Sequence, residues 1–174
     1  MSIVRVLVGA ASRHGSTAEV AVRIAEAMRT ALPGDAVVEI RPAVEVGDLA
    51  PYDAVVLGSA VYMGRWLDDA RAAAQRIAAR PPCPVWLFSS GPIGHPPKPD
   101  EDPAEVAALV AATSSRGHRL FAGRLDRHRL GLAERAMVAA LRVADGDFRD
   151  WATIDSWGRQ IAAELCLPAD AVTP

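Results

Sequence analysis

The sequence predicts an α/β protein built on a doubly wound, five-stranded parallel sheet in the strand order 2-1-3-4-5. Three observations support this prediction. Short β-branched runs alternate with longer stretches of helical periodicity, as they do in βαβ units with right-handed crossovers. The run from Ala54 to Gly58 is apolar throughout, which is typical of a central strand covered by helices on both faces. The length of 174 residues fits a single domain that spans positions 1–174.

Predicted strands and helices alternate along the chain. Apolar runs predict strands at 4–9, 36–40, 54–58, 85–89 and 120–125. Helical periodicity predicts a helix from near Ser16 or Thr17 to Pro33-Gly34, and further helices at about 67–79, 103–114 and 153–165. Pro81-Pro82 ends the second helix, and Asp102-Pro103 starts the third. This order places parallel strands side by side with helices on both faces of the sheet.

Three connections in this pattern are candidates for function. Residues 59–66 follow the central strand and are predicted to form a loop. Residues 91–103 are rich in proline, glycine and acids, which predicts a surface loop. Residues 126–150 form an insertion after or within strand 5 that is longer than an ordinary α/β connection. Ligands of doubly wound sheets bind at the carboxyl ends of the strands, where such loops meet.

Composition and charge exclude several classes of function. The formal net charge of −2 gives no basic field to gather nucleic acid, so no nucleic-acid partner is expected. Cys83 and Cys166 are too few for a disulfide framework, which predicts reduced thiols in a cytoplasmic protein. No window approaches the roughly 18 apolar residues of a transmembrane helix, so no membrane-spanning segment is expected. No metal site is expected either, since metal-ligand spacing is lacking among His14, His95, His118 and His128.

The strongest local signal is the donor-rich loop between strand 1 and the first helix, Ser12-Arg13-His14-Gly15-Ser16-Thr17. Backbone N–H groups at a helix N-terminus point outward with the positive end of the helix dipole, and the hydroxyls add further donors. Gly15 allows the backbone to approach an anion closely. The loop therefore predicts a phosphate cradle. The alternative is that Ser16 or Thr17 only caps the helix, with Glu19 near its positive end.

The phosphate would belong to a mononucleotide. No Gly-Lys-Ser/Thr follows the loop, which excludes a P-loop triphosphate site, and no G-x-G-x-x-G motif is present. No G-x-S-x-G elbow supports a serine hydrolase. We therefore expect no catalytic side chain, and any chemistry would belong to a bound cofactor.

The segment VLVGAASRHGSTAEVAVRIAEAM is similar to the opening strand, phosphate loop and helix of flavodoxins. Residues 58–66 and 89–94 look like the second and third flavin loops of that family, so the resemblance covers nearly the whole chain. It implies a flavodoxin-like fold with FMN as cofactor. It also implies a cofactor site formed by Ser12, Arg13, His14, Gly15, Ser16, Thr17, Ser59, Ala60, Val61, Tyr62, Met63, Gly64, Trp66, Ser89, Ser90, Gly91 and Gly94.

Two details of these loops leave alternatives open. Trp66 or Tyr62 could stack on the flavin ring, although a tryptophan at a helix start also serves as a packing anchor. The third loop has no aromatic residue for the other ring face. His14 stands where flavodoxins place a threonine and some relatives an aspartate, and an imidazole can still donate to a phosphate. An exposed histidine without a role is the alternative.

Within this group the chain resembles menaquinone-dependent protoporphyrinogen oxidases, enzymes of heme biosynthesis. The resemblance rests on Ala122-Gly123-Arg124-Leu125, then Glu134-Arg135-Ala136-Met137 within the insertion, then Asp150-Trp151. It implies an FMN-dependent oxidoreductase that oxidises protoporphyrinogen or a similar substrate with a quinone-like acceptor. The sequence departs from that family at 145–149, where a longer segment is replaced by five residues. No substrate residue is carried across that gap.

The insertion has the pattern of a basic amphipathic helix. Leu130, Ala133, Met137 and Leu141 recur at helical spacing, with arginines at 127, 129, 135 and 142. Such a helix could touch a quinone, a propionate-bearing porphyrin or the inner face of a membrane as a peripheral contact. The same apolar face could instead pack on the domain or on a second copy of the chain in a homodimer.

Three functions remain as hypotheses. The first is the FMN-dependent oxidoreductase acting on a small-molecule redox substrate or quinone. The second is a flavodoxin-type electron carrier that docks on a redox protein partner, although such docking benefits from a stronger acidic charge than −2. The third is a flavin-free interaction protein on the same fold.

Overall fold

The computed structural model describes residues 4–96, 98, 99 and 101–167. Its strands are β1 (Arg5–Ala11), β2 (Val37–Pro42), β3 (Ala54–Tyr62), β4 (Arg65–Trp66), β5 (Val85–Ser90), β6 (Gly117–Phe121), β7 (Arg124–Leu125) and β8 (Gly146–Asp147). Its helices are α1 (Ser16–Ala31), α2 (Asp68–Ala78), α3 (Val106–Thr113), α4 (Leu132–Leu141) and α5 (Trp151–Cys166). Within the described part of the chain, no helix is long and apolar enough to cross a membrane.

The main sheet is parallel and has the order β2-β1-β3-β5-β6, with the short β4 paired to β3. When the two-residue β4 is left out, this is the predicted order 2-1-3-4-5. In the central register Val8 pairs with Val56, and Val56 pairs with Trp86. The doubly wound fold predicted from the alternation of strands and helices is confirmed.

Alternate strand residues bury on opposite faces of the sheet, and this forms two cores. On one face Val6, Val8 and Phe88 pack with α1 and α5. On the other face Leu7 and Leu57 pack with α2, as the two-sided apolar strand predicts. The β3 backbone comes close to β5 at Gly58, where a Cβ atom would lie 2.0 Å from the Phe88 ring. Only glycine leaves room for that ring.

Three regions differ from the predictions by more than two residues. Residues 59–66 are not a loop: β3 continues to Tyr62 and returns through a tight turn into β4, because Met63 and Gly64 both adopt positive φ, as a type I′ hairpin requires. The predicted strand at 120–125 is split between β6 and β7. The third helix starts at Val106, later than the predicted 103, since residues 102–105 form a turn and an irregular segment.

The insertion lies after β6. It contains β7, a short 3₁₀ turn at Arg127–Arg129, α4 and β8, and β7 pairs antiparallel with β8. Leu125 pairs with Gly146, so the two ends of the insertion lie next to each other. No residue of α4 is buried. The helix is therefore held by its ends and its side-chain contacts rather than by a core.

Candidate functional site

A cavity of about 840 Å³ opens at the carboxyl ends of β1, β3 and β5. This is where ligands bind in doubly wound sheets, and the volume is in the range of small-molecule and cofactor sites. Side chains of α4 and the 91–103 loop complete its wall. The predicted site residues that line it are Ser12, Arg13, His14, Ser16, Thr17, Ala60, Val61, Tyr62, Met63, Gly64, Ser90 and Gly91.

The first loop ends at an uncapped helix. Gly15 is the N-cap of α1 with φ +89°, and no side chain makes a capping hydrogen bond there. The Gly15 N–H is instead donated to Ser12 Oγ at 3.0 Å. Ser16 Oγ is buried and has no hydrogen-bond partner among the described residues. This hydroxyl and the free N–H groups of the first helical turn are suited to an anion, and the simple capping alternative is not observed.

Arg13 and His14 are already engaged by the insertion. Arg13 Nη1 donates to Glu134 Oε1 at 3.0 Å, and His14 Nε2 lies 3.2 Å from both carboxylate oxygens of Glu134. Arg129 Nη1 also donates to the His14 carbonyl oxygen at 3.0 Å. His14 is therefore partly buried and paired with Glu134, and its part in phosphate binding stays a prediction.

The Glu134 carboxylate also caps its own helix. It accepts the Gly131 N–H at 2.9 Å, as a glutamate at the third helical position does in a capping box. Burial by itself would raise the pKa of Glu134, but the hydrogen bonds from Gly131, Arg13 and His14 lower it to about 2. Glu134 is consequently ionised at neutral pH and ties α4 to the first loop.

The second loop supplies an aromatic residue to the cleft. Tyr62 lies at the end of β3, and the Arg13 guanidinium carbon lies 4.4 Å from the centre of its ring, a cation–π distance. Burial raises the pKa of the Tyr62 phenol, with a further increase from the charge of Glu134. Tyr62 therefore stays neutral and presents both a ring and a hydroxyl near the cavity.

Trp66 is buried in the core beside α2 and does not line the main cavity. Its indole Nε1 donates to Ser89 Oγ at 2.7 Å. Of the two aromatic candidates, Trp66 is thus the packing anchor and Tyr62 is the one that lines the cleft. Ser59 is also buried, and its hydroxyl accepts the Leu67 N–H at 3.0 Å. These two hydrogen bonds hold the second loop in place on the side away from the cavity.

The third loop is anchored by a chain of polar contacts that runs from buried Ser89 through His118 to the partly exposed Asp102. Ser89 Oγ lies 2.8 Å from His118 Nε2, and His118 Nδ1 lies 3.3 Å from Asp102 Oδ1. Burial lowers the pKa of His118, and the negative charge of Asp102 opposes this effect. Ser89 is completely buried and is not accessible as a nucleophile. The chain connects β5, β6 and the end of the 91–103 loop, where Asp102 reaches the cavity.

Gly94 lies apart from the other predicted residues of the third loop. It has φ +95°, and a Cβ atom there would meet Val143 at 3.5 Å, so it faces the end of the insertion. Before it, the Ile93 N–H donates to the Lys98 carbonyl oxygen at 3.1 Å. The predicted surface loop thus includes a tight reversal, with Ser90 and Gly91 on the cavity side.

The insertion ends in a buried arginine that sequence reasoning missed. Arg149 forms two hydrogen bonds with Asp147, at 2.8 and 2.7 Å, and one with Glu19 at 2.7 Å. It also donates to the Ser16 carbonyl oxygen at 3.3 Å and stacks over Trp151 at 4.4 Å. The short 145–149 stretch, where the family resemblance fails, therefore braces the start of α1.

Glu134 was likewise missed as a site residue. The sequence points to Glu134 only through the C-terminal resemblance, although a glycine three positions before a lone acid at the start of a helix indicates a cap. Its contact with Arg13 spans 121 positions, which no local pattern reveals. Among the described residues, no cluster of His, Cys, Asp or Glu side chains could hold a metal ion.

Comparison with known proteins identifies one family. The family described as "Flavodoxin domain" matches residues 7–151, which includes the three loops of the cleft. No curated protein sequence matches the chain. The matched range begins in β1 and ends at the first residue of α5.

Solved structures share the fold at low identity. Oxidised flavodoxin 1 from Bacillus cereus is 15% identical with a TM-score of 0.62, over 94% of this chain and 99% of that chain. The flavodoxin of Streptococcus pneumoniae TIGR4 is 14% identical with a TM-score of 0.59, over 92% and 97%. Rubredoxin oxygen:oxidoreductase from Desulfovibrio gigas is 17% identical with a TM-score of 0.59, over 94% of this chain but 37% of that chain. At these identities the likeness establishes the fold.

Proposed function

The chain belongs to the flavodoxin-domain family, and from this premise we propose that it is an FMN-dependent oxidoreductase whose cofactor lies in the cleft described above. Family membership implies a flavin, FMN, as the cofactor. One observation carries the assignment to this cleft: the Ser16 hydroxyl at the uncapped start of α1 is buried and has no partner within the described part of the chain. A phosphate there would satisfy donors that otherwise have no acceptor.

The remaining residues of the cleft fit the rest of the cofactor. Ser12, Ser16 and Thr17 would hold the phosphate together with the backbone N–H groups of the first turn of α1. Tyr62 would lie against the ring, and the backbone of Ser90 and Gly91 would meet its polar edge. When bound, the flavin supplies the redox chemistry by accepting and passing on electrons. The protein contributes binding, orientation and the exclusion of water.

For the reaction, we propose a reduced small-molecule substrate as electron donor and a quinone-like acceptor. The donor loses a pair of electrons with the accompanying protons, and the quinone becomes a quinol. Protoporphyrinogen is the candidate donor, on the resemblance of the C-terminal third to menaquinone-dependent oxidases. Support comes from further apolar residues that line the same cavity beside α4, which are Pro92, Ile93 and Leu130. An apolar, planar substrate fits such a surface.

The second candidate is an electron carrier for a redox protein partner. It is favoured by Met63, which is 83% exposed and lies beside the cleft at the tip of the β3–β4 hairpin. A partner docked there would cover an apolar side chain next to the cofactor site. The flavin-free alternative gains no support from the cleft, because it leaves the Ser16 hydroxyl without a role.

An assay with and without the insertion separates the two candidates. The protein, saturated with FMN, is given protoporphyrinogen and a menaquinone analogue under anaerobic conditions, and the loss of quinone is followed. We expect quinone reduction by the intact protein and none by a variant in which 127–146 is replaced by a short Gly-Ser bridge. The bridge is short because Leu125 and Gly146 are paired. Intact protein that holds FMN and accepts electrons from a flavin reductase, yet reduces no quinone, would support the carrier.

A further inference from the structure

The donors of the first loop fall into two groups. Arg13 and His14 are paired with Glu134 at 3.0 and 3.2 Å. Among the described residues, Ser16 Oγ has no hydrogen-bond partner, and no side chain caps the N–H groups of the first turn of α1. The second group is available to a phosphate. The first group, Arg13 and His14, already contacts Glu134 of the insertion.

The α4 helix has an unusual position for an amphipathic helix. None of its residues is buried, and Met137 and Leu141 are 46% and 58% exposed although they face the cavity. With so little packing, its position depends on polar contacts: the Arg127–Asp145 pair at 2.9 Å joins the segments before and after the helix, and other contacts tie its N-terminal end to the first loop. The contacts with the first loop are the pairs of Glu134 with Arg13 and His14, and the Arg129 hydrogen bond to the His14 carbonyl oxygen at 3.0 Å.

On the premise of the proposed FMN site, we propose that Glu134 is a positioning residue. Its pairs with Arg13 and His14, here called the Glu134 clasp, hold α4 against the first loop. In this position Met137, Val138 and Leu141 form the second wall for the flavin ring. The third loop has no aromatic side chain for that face, and α4 brings apolar side chains to the same cavity. Apolar contact with a bound ring would bury the exposed methionine and leucine, which stabilises both partners.

The Glu134 clasp should affect contacts with the flavin ring and not contacts with the phosphate. Comparing two flavins that differ only in the phosphate therefore tests it. A neutral Glu134→Gln variant keeps an oxygen that can accept the Gly131 N–H, so the helix cap at 2.9 Å is retained. It loses the ionic attraction for Arg13 and His14. Without this attraction, α4 is no longer held in position before the ring binds. FMN and riboflavin should therefore both bind about tenfold more weakly. Their ratio of dissociation constants should stay unchanged, since riboflavin lacks only the phosphate.

The experiment measures both dissociation constants by quenching of flavin fluorescence. The matched control is Glu26→Gln, which neutralises an exposed acid on α1 away from the cleft and should change neither constant. Met137→Ala is the second variant. It removes part of the wall and leaves the clasp intact, so it should also weaken both flavins by a common factor. Because Met137 is exposed, this variant should fold.

Two results would overturn the inference while the cofactor site stands. One is wild-type binding of FMN with constants for Glu134→Gln within twofold of wild type. The other is tighter FMN binding by that variant with unchanged riboflavin binding, which would make Glu134 a competitor of the phosphate. Failure of the wild-type protein to bind either flavin would instead overturn the proposed function together with the inference.

Discussion

Replacing Arg149 by methionine should lower the free energy of unfolding by about 2–3 kcal/mol, because two carboxylates lose their common partner. The guanidinium side chain is 3% exposed and bonds Asp147 and Glu19 at 2.7 Å each. Removing one member of a buried ion pair costs about 3–5 kcal/mol. The two carboxylates are 42% and 48% exposed, so water partly replaces the arginine and the cost falls below that range.

Urea denaturation followed by circular dichroism measures this loss, which corresponds to a melting temperature lower by about 4–12 °C for a domain of this size. The control is Arg159→Met on the exposed face of α5, which should change stability by less than about 0.5 kcal/mol. Arg149 holds the pKa of Asp147 below its ordinary value of 3.8, so its contribution is present at neutral pH. This contribution to stability is lost as the pH falls below 3.8. Below that pH the free energies of unfolding of the wild type and of Arg149→Met should converge. A loss no larger than that of the control would refute the role of Arg149 as a brace.

Three further predictions address the cleft and the sheet. Gly15→Val should weaken FMN binding by at least about tenfold, because φ +89° is strained for a β-branched residue; undiminished affinity by fluorescence titration would place the phosphate elsewhere. Gly58→Ala should destabilise the fold by about 1–3 kcal/mol or more in urea, since its Cβ overlaps the Phe88 ring at 2.0 Å, and a neutral effect would contradict this packing. The Glu134 clasp should be intact above pH 4.5 and lost as the pH falls toward 2, because the folded state lowers that pKa. Hydrogen exchange, corrected for its intrinsic pH dependence, should show α4 protection falling over that range, with no such change in Glu134→Gln.

The sheet could be predicted because its signals are local. The apolar run at 54–58 and the Pro33-Gly34 helix end are visible within a few residues, and both correspond to elements of the structure. The prediction of a loop at 59–66 is wrong because it also relied on local signals. Ser59 and Ala60 look like loop residues, but they pair with Ala11 and Ser90 on neighbouring strands, and such pairing over a distance overrides local propensity.

The candidate site could be predicted only where its residues are consecutive. The loop from Ser12 to Thr17 lines the cavity almost as a unit. Glu134, in contrast, reaches Arg13 across 121 positions, and Arg149 reaches Glu19 across 130. Contacts of this kind depend on how the insertion folds back over the first loop. No spacing rule along the chain contains that information.

The visible absorption spectrum of the purified protein tests the central claim most directly. If FMN lies in the cleft, the protein should be yellow, with flavin bands, and heat should release a pigment that chromatographs as FMN in equal molar amount to the chain. Apoprotein prepared by removing the pigment should then quench the fluorescence of added FMN. A colourless protein that also leaves the fluorescence of added FMN unchanged would contradict the claim.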